Sequence, residues 1–430
     1  MHDERDITVD YLARVEGEGA LHLELRDNEV ADLKFKIFEP PRFFEALLRG
    51  RRFGEAPDIT ARICGICPVA YQVSSCNAME DAAGVAVPDQ LQRLRRLIYC
   101  GEWIESHALH VYFLHAPDFL GFASGIAMAE FFPDRIEAGL ALKKVGNTVM
   151  RVLGGREIHP INLRVGGFYR VPTTAELEAL VPDLERALEI AVETTRWVSG
   201  FPFPQFDRDY EFVALRHPEE YAIHQGRIAS SGGLDIAVDE WPDWFHEEHV
   251  EWSNALHART SDGSSYHVGP MARYSLNSAL LTGTAREEAE RAGLGVTVSN
   301  PFQSIVVRAV EMVFACEEAL RIIEQYRRPE QPSVEVSPAA ATGHGASEAP
   351  RGLLYHRYAI DGEGLITEAH IVPPTSQNQL SIEEDLRAFV PGHVQLPDDE
   401  LQWKLEQAIR NYDPCISCAT HFLDLTVERR

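Results

Sequence analysis

Two Cys-x-x-Cys pairs stand near opposite ends of the chain, Cys64 with Cys67 and Cys415 with Cys418. No other feature constrains the fold as strongly. One such pair is weak on its own, because it serves equally as a redox dithiol, half of a zinc site, or chance. Two pairs supply four thiolates, a complete soft ligand set. If they share one centre, the chain must fold so that its two ends meet there. The plain alternative is a structural tetrathiolate zinc or single-iron site, but such sites draw their pairs from closer together in the chain. A ferredoxin-type cluster is not supported, since its third and fourth cysteines follow quickly. The remaining cysteines, Cys76, Cys100 and Cys316, are scattered and read as buried structural thiols.

Composition narrows the class. The chain has 430 residues, 45% hydrophobic and 25% charged, enough for a large buried core. A formal net charge of -26 argues against nucleic-acid binding, whose phosphates call for Lys and Arg. No run approaches the apolar length of a membrane span. The start, "MHDERDITVD", lacks a basic region followed by an apolar stretch, so no signal peptide is expected. The odd cysteine count does not suggest a secreted disulfide scaffold, and a cytoplasmic setting is expected.

Periodicity predicts an α+β chain in which helix dominates. Residues 9–38 read as β-structure, with "ALHLELRDNEV" alternating apolar and polar before a "DN" turn. A helix is expected near Pro41, in "PRFFEALLRG", and another from about Asp89 to His115. Thr173 and Glu176 predict a capping box for a helix running to about Ser199. A long helix is expected from about Ser304 to Arg328, with Cys316 on its apolar face. Residues 202–293 read as irregular. Residues 331–352, rich in Pro, Gly, Ala and Ser, read as a linker or a loop beside an active site. Ser381 and Glu384 suggest a further capped helix, and a last one should run from about Asp399 to Arg410.

The flanks of the cysteine pairs then become informative. "RICGIC" at 62–67 and "DPCISCATH" at 413–421 resemble the nickel-iron hydrogenase large subunit. Supporting pieces are "RVEG" at 14–17, "PRFFE" at 41–45, "HPINLRVGG" at 159–167, "EAPRG" at 348–352 and "VPPTSQN" at 372–378, in the family's order across almost the whole chain. The resemblance implies one large-subunit domain over 1–430, with a central bundle of long helices and an N-terminal β region over 1–40. It implies a nickel-iron centre with Cys64 and Cys415 as terminal thiolates on nickel and Cys67 and Cys418 bridging to iron. The iron would carry carbon monoxide and two cyanides. Glu45, the carbonyl of Ile371 and His421 would hold a magnesium ion. Hydrogen would be split heterolytically, its proton passing to Cys415 and on to Glu16. Arg351 would sit over the metals as a fixed donor, Thr375 would hydrogen-bond a cyanide, and Pro350 and Pro374 would stiffen the loops around the diatomic ligands.

The resemblance further implies an iron-sulfur small subunit, because the leftover cysteines cannot build an electron wire. Diaphorase-type and further iron-sulfur subunits are expected partners, and no "GxGxxG" fingerprint places a nicotinamide site on this chain. A maturation protease would remove residues 422–430 after His421. The "CGICPVAYQ" form is most similar to the soluble, cytoplasmic, nicotinamide- or sulfur-linked branch. One departure stands out: Tyr71 occupies a position where many members carry histidine. The histidines at 107, 110 and 115 lie near one another on a predicted helix, leaving open a further metal site. The competing class, a related subunit that lost hydrogen chemistry and kept the fold, would be marked by loss of the cysteines, and all four are present.

Overall fold

The computed structural model describes residues 4–420. The N-terminal β region is a three-stranded antiparallel sheet of Glu4–Val9, Gly19–Arg26 and Glu29–Ile37. Its hairpin turns at Asp27 and Asn28, both at positive φ (52° and 65°), residue types that tolerate this region in two-residue turns. Alternation works as expected: Leu21, Leu23, Leu25, Leu33, Phe35 and Ile37 are buried. They pack against the helices Pro374–Phe389 and Asp398–Arg410, so the two ends of the chain share one hydrophobic cluster.

The centre is a bundle of long helices. Helix Asp89–Leu109 lies between Pro133–Gly154 and Ser304–Glu324, with Val181–Val198 behind the last. Cys100 and Cys316 are buried in this core, and Cys76 is buried on helix Pro68–Ala82. The first two helices cross at Gly101 and Gly146. A Cβ on Gly146 would come 2.5 Å from the Gly101 carbonyl oxygen and 2.7 Å from the Glu105 amide nitrogen. Backbone on both sides cannot yield as a side chain would. Gly146→Ala should therefore destabilise the fold by about 1–3 kcal/mol despite alanine's better helix propensity. Chemical denaturation checks this, and an unchanged or raised midpoint would count against a tight crossing.

A second antiparallel sheet joins Ala341–Ala349, Gly352–Ile360 and Ile366–Val372. Its first turn, at Pro350 and Arg351, points toward the C-terminal cysteine pair, and helix Pro68–Ala82 packs on its first strands.

Several expectations are corrected. The capping box at Thr173 and Glu176 exists, but it starts the short helix Thr174–Glu178; a second helix begins at Val181, with a proline in its first turn. The Asp89 helix does run to His115 as expected, its last residues, His110–His115, widening into a π turn. The Pro41 helix is one short segment, Phe44–Leu48, and the Ser304 helix stops at Glu324. The supposed irregular region contains strands Val213–Arg216, Arg227–Ser230 and Asp235–Ile236, the hairpin Phe245–Glu248 with His257–Thr260, and helices Pro270–Asn277 and Gly283–Arg291. The supposed linker ends in strand Ala341–Ala349, whose last residues are buried. Ser381 lies inside a helix that already begins at Pro374. No described helix is long and apolar enough to cross a membrane.

Candidate metal centre

Local structure sets each cysteine. Cys64 follows the tight turn Ala61–Ile63, and Cys67 stands at the N-cap of helix Pro68–Ala82, where Pro68 suits the first helical position. That helix start is anchored by the buried Glu102, which accepts the amides of Val69 (2.6 Å) and Ala70 (3.1 Å). Cys415 and Cys418 flank the first residues of the short helix Ile416–Ala419. Arg42 staples the two pairs together: its guanidinium donates to the carbonyls of Ile63 and Ser417, one in each cysteine segment.

The four cysteines converge. All are buried, and their sulfurs lie within 4.8 Å of one another. Cys64 Sγ is 3.6 Å from Cys415 Sγ, Cys67 Sγ is 3.8 Å from Cys418 Sγ, and Cys415 Sγ is 2.7 Å from Cys418 Sγ. None is in a disulfide. Without a cation such a cluster cannot ionise together. Hydrogen bonds from Cys415, Cys418 and Cys67 pull the Cys64 thiol well below its ordinary pKa. Burial, then the neighbouring sulfurs, pushes Cys415 well above its own. One negative charge is tolerated and the next are not, so four thiolates require metal charge between them. The donor set fits soft, electron-rich transition metals.

Two further groups reach the sulfurs. Cys415 Sγ lies 3.1 Å from Glu16 Oε2, and the same oxygen accepts the Ser417 amide at 3.0 Å. Glu16 meets Cys415 as a parallel β-bridge, with the Ile416 amide donating to the Glu16 carbonyl at 2.8 Å. This approach depends on Gly17, at φ 93°, where a Cβ would meet Ile416 Cβ at 2.7 Å. Burial, and then the charge of Cys64, raises the Glu16 pKa above the usual carboxyl range.

Arg351 approaches from the other side. Its Nε donates to the Asp413 carbonyl (2.7 Å) and one Nη to the Asp413 carboxylate (3.1 Å), while Nη1 finds no partner among the described atoms. Burial disfavours the guanidinium charge, but Asp413 and the thiolates of Cys415, Cys67 and Cys64 outweigh it and keep the group protonated. A paired arginine with one buried N–H left over suits an anionic or polar group held between the sulfurs.

The other expected residues are placed as follows. Thr375 Oγ1 accepts the Cys415 amide at 2.9 Å, keeping its own proton for another acceptor, and Pro374 opens the helix that carries it. The Pro350 carbonyl accepts from Arg273 at 3.0 Å. Glu45 accepts the Ile371 amide at 2.8 Å, and the Arg42 amide donates to the Thr420 carbonyl at 2.6 Å, bringing the residue before His421 close to the Glu45 turn. His421 and the tail at 422–430 lie outside the described residues. His107, His110 and His115 gather no metal-ligand group among the described residues; they contact Glu311 (2.9 Å), the Arg410 carbonyl (2.8 Å) and Asn411 (2.9 Å).

Some residues that shape the centre were not found from sequence. Asp118 accepts from Arg14 at 2.5 Å and from two nitrogens of Arg410, each at 2.8 Å. It thereby ties the segment carrying Glu16 to the one carrying Cys415. Arg273 fixes the turn before Arg351 through the carbonyls of Ala349 (2.6 Å) and Pro350. Charged residues in apolar helices were the available signal, since buried charges are kept only when paired.

The comparisons agree with this geometry. A solved structure described as NAD+-reducing [NiFe]-hydrogenase in the H2-reduced state superposes with a TM-score of 0.87 at 24% identity, over 97% of this chain and 99% of that one. This shows a shared fold. NAD-reducing hydrogenase HoxS subunit beta of Cupriavidus necator is 28% identical over 97% of this chain and 95% of its own length. Sulfhydrogenase 1 subunit alpha of Pyrococcus furiosus is 33% identical over 97% of this chain and 98% of its own. The family model described as nickel-dependent hydrogenase matches residues 42–130 and 246–421, which include both cysteine pairs. With four buried sulfurs in one cluster, Glu16 on one side and Arg351 on the other, the chain belongs to the nickel-dependent hydrogenases, as their catalytic large subunit.

Proposed function

We propose that this chain holds a nickel-iron centre, which the sulfurs of Cys64, Cys67, Cys415 and Cys418 would hold between them. The observation that carries this reading is the buried cluster of four sulfurs flanked by a carboxyl and a guanidinium. When bound, the metals supply the site at which hydrogen is split or formed heterolytically. The residues of the chain do the rest. Cys415 takes or gives the proton at its sulfur, and Glu16, 3.1 Å away, passes it on. Arg351 offers its unpartnered N–H and fixed charge to the ligands of iron, which on this reading are carbon monoxide and two cyanides. Thr375 offers its hydroxyl proton to one of them. Pro350 and Pro374 hold the flanking backbone.

A magnesium ion held by Glu45, the Ile371 carbonyl and His421 belongs to the same reading. Its support is the Glu45 contact to the Ile371 segment. Cleavage after His421, which would release residues 422–430, is likewise part of it, coupling metal loading to closure of the C-terminal segment.

Electrons leave through an iron-sulfur small subunit. Gly65, inside the first cysteine pair, is exposed, and beside it Ile158 and Ile161 are 57% and 50% exposed, an apolar face next to the centre. The names of the relatives, a sulfhydrogenase subunit and an NAD-reducing hydrogenase subunit, favour a complex of several chains with a nicotinamide or sulfur acceptor; diaphorase-type and further iron-sulfur subunits belong to the same reading. Seven cysteines without a disulfide fit the cytoplasm.

Infrared absorption of the as-purified complex, with metal analysis, tests this reading. Bands of one carbon monoxide and two cyanides are expected, with nickel present and iron in excess of it because the partner's clusters add iron of their own. Zinc without such bands would overturn it in favour of a structural tetrathiolate.

A further inference from the structure

Tyr71 lies one helical turn beyond Cys67, in the first turns of helix Pro68–Ala82, so its side chain leans back over the cysteine pair. It is among the largest fully buried side chains, at 1% exposure. Its ring packs on His356, with centroids 5.7 Å apart, and its backbone carbonyl is held by Thr60. The phenol oxygen, by contrast, is buried with no hydrogen-bond partner among the described atoms. A buried hydroxyl without a partner costs free energy on the order of 1–3 kcal/mol, so its persistence beside a cluster of sulfurs calls for an acceptor there. Burial foremost, and then the charges of Cys418, Cys67 and Cys415, push its pKa well above the phenol range. Cys418 is the sulfur that its hydroxyl reaches. A phenol hydroxyl has a proton to donate toward such a sulfur.

We propose that the Tyr71 hydroxyl donates a hydrogen bond to the Cys418 sulfur of the loaded centre and limits the electron density that this thiolate gives the metals. The inference rests on the nickel-iron reading above. Tyr71 acts through Cys418 and touches no substrate. As a metal-bound thiolate Cys418 is a good acceptor for such a donor. The donor withdraws charge from the sulfur, as outer hydrogen bonds do at metal sites generally.

The test is infrared spectroscopy of the purified, metal-loaded complex for the natural chain, Tyr71→Phe and Tyr71→His, each with its nickel and iron content. Deleting the donor leaves a more electron-rich thiolate, so in Tyr71→Phe the diatomic stretching bands should move to lower frequency at unchanged metal content. Tyr71→His restores a donor and should return the bands toward their natural positions. Unmoved bands in Tyr71→Phe would overturn the proposal, and so would equal shifts in both variants, which would mark a packing effect. If Tyr71→Phe fails to load, a Tyr71→His variant that loads with near-natural bands supports the donor role, and one that also fails reduces Tyr71 to packing. Absence of bands in the natural chain would instead defeat the nickel-iron reading itself.

Discussion

Glu16→Gln should leave the metals in place and remove the turnover. The substitution keeps the shape of the side chain and its carbonyl oxygen, so the Ser417 amide, now 3.0 Å from Glu16 Oε2, retains an acceptor. The β-bridge to Cys415 runs through the backbone and is untouched. What is lost is the carboxylate that lies 3.1 Å from Cys415 Sγ and can take a proton and release it. Burial already raises the Glu16 pKa, which eases uptake of a proton from the sulfur. An amide cannot do this. Hydrogen–deuterium exchange and hydrogen oxidation should both fall by about 10²–10⁴, with nickel and iron near natural content and the infrared bands little moved. Exchange at the natural rate in a fully loaded Glu16→Gln complex would place the proton exit elsewhere.

How much of this was readable beforehand follows a physical pattern. The cysteine pairs were legible because metal chemistry fixes residue type and spacing together. Glu16, Arg351 and Thr375, which the fold brings beside the C-terminal cysteine pair, could be picked out only inside their motifs. A lone glutamate carries no local mark, and what makes Glu16 special is the backbone approach at Gly17, a property of the fold. Long helices announced themselves through periodicity; strands such as Asp235–Ile236 are too short to show any, so residues 202–293 read as irregular. Strand Ala341–Ala349 was hidden by its Gly and Ala content, which suits close packing against helix Pro68–Ala82 but resembles a linker. The Ser381 cap failed because a proline-led start at Pro374 lies two turns upstream. Asp118, Arg273 and Glu311 escaped altogether. Their partners come from distant parts of the chain, and nothing in a single sequence records who pairs with whom.

Arg273 carries the largest structural consequence. It is fully buried, and each of its five N–H groups is used: two toward Glu311 (2.9 and 2.8 Å), one toward Glu348 (3.2 Å), and two toward the carbonyls of Ala349 (2.6 Å) and Pro350 (3.0 Å). Its guanidinium also stacks over Trp103 at 4.5 Å. Arg273→Met keeps bulk and apolar contact but strands two buried carboxyls. The expected loss is about 3–5 kcal/mol near neutral pH, the scale for removing one partner of a buried ion pair. The pH dependence separates lost charge pairing from lost packing. In the natural chain burial raises Glu348 to about 7, whereas Arg273, against burial, brings Glu311 down to about 2. Glu348 therefore contributes stability that is lost as pH rises through its folded pKa. Glu311 contributes stability that is lost as pH falls through its own. Without Arg273 both carboxyls lose their main cation, and both folded pKa values move up. Both then favour the folded state only in their protonated forms, so Arg273→Met should recover part of its deficit between neutral pH and pH of about 5. His107, brought to about 4 mainly by burial, is neutral over that range in the natural chain. Denaturation at the two pH values decides the matter: an equal deficit at both would mean that Arg273 matters by shape alone. A smaller deficit in acid would show that its charge holds the turn on which Arg351 is carried to the sulfurs.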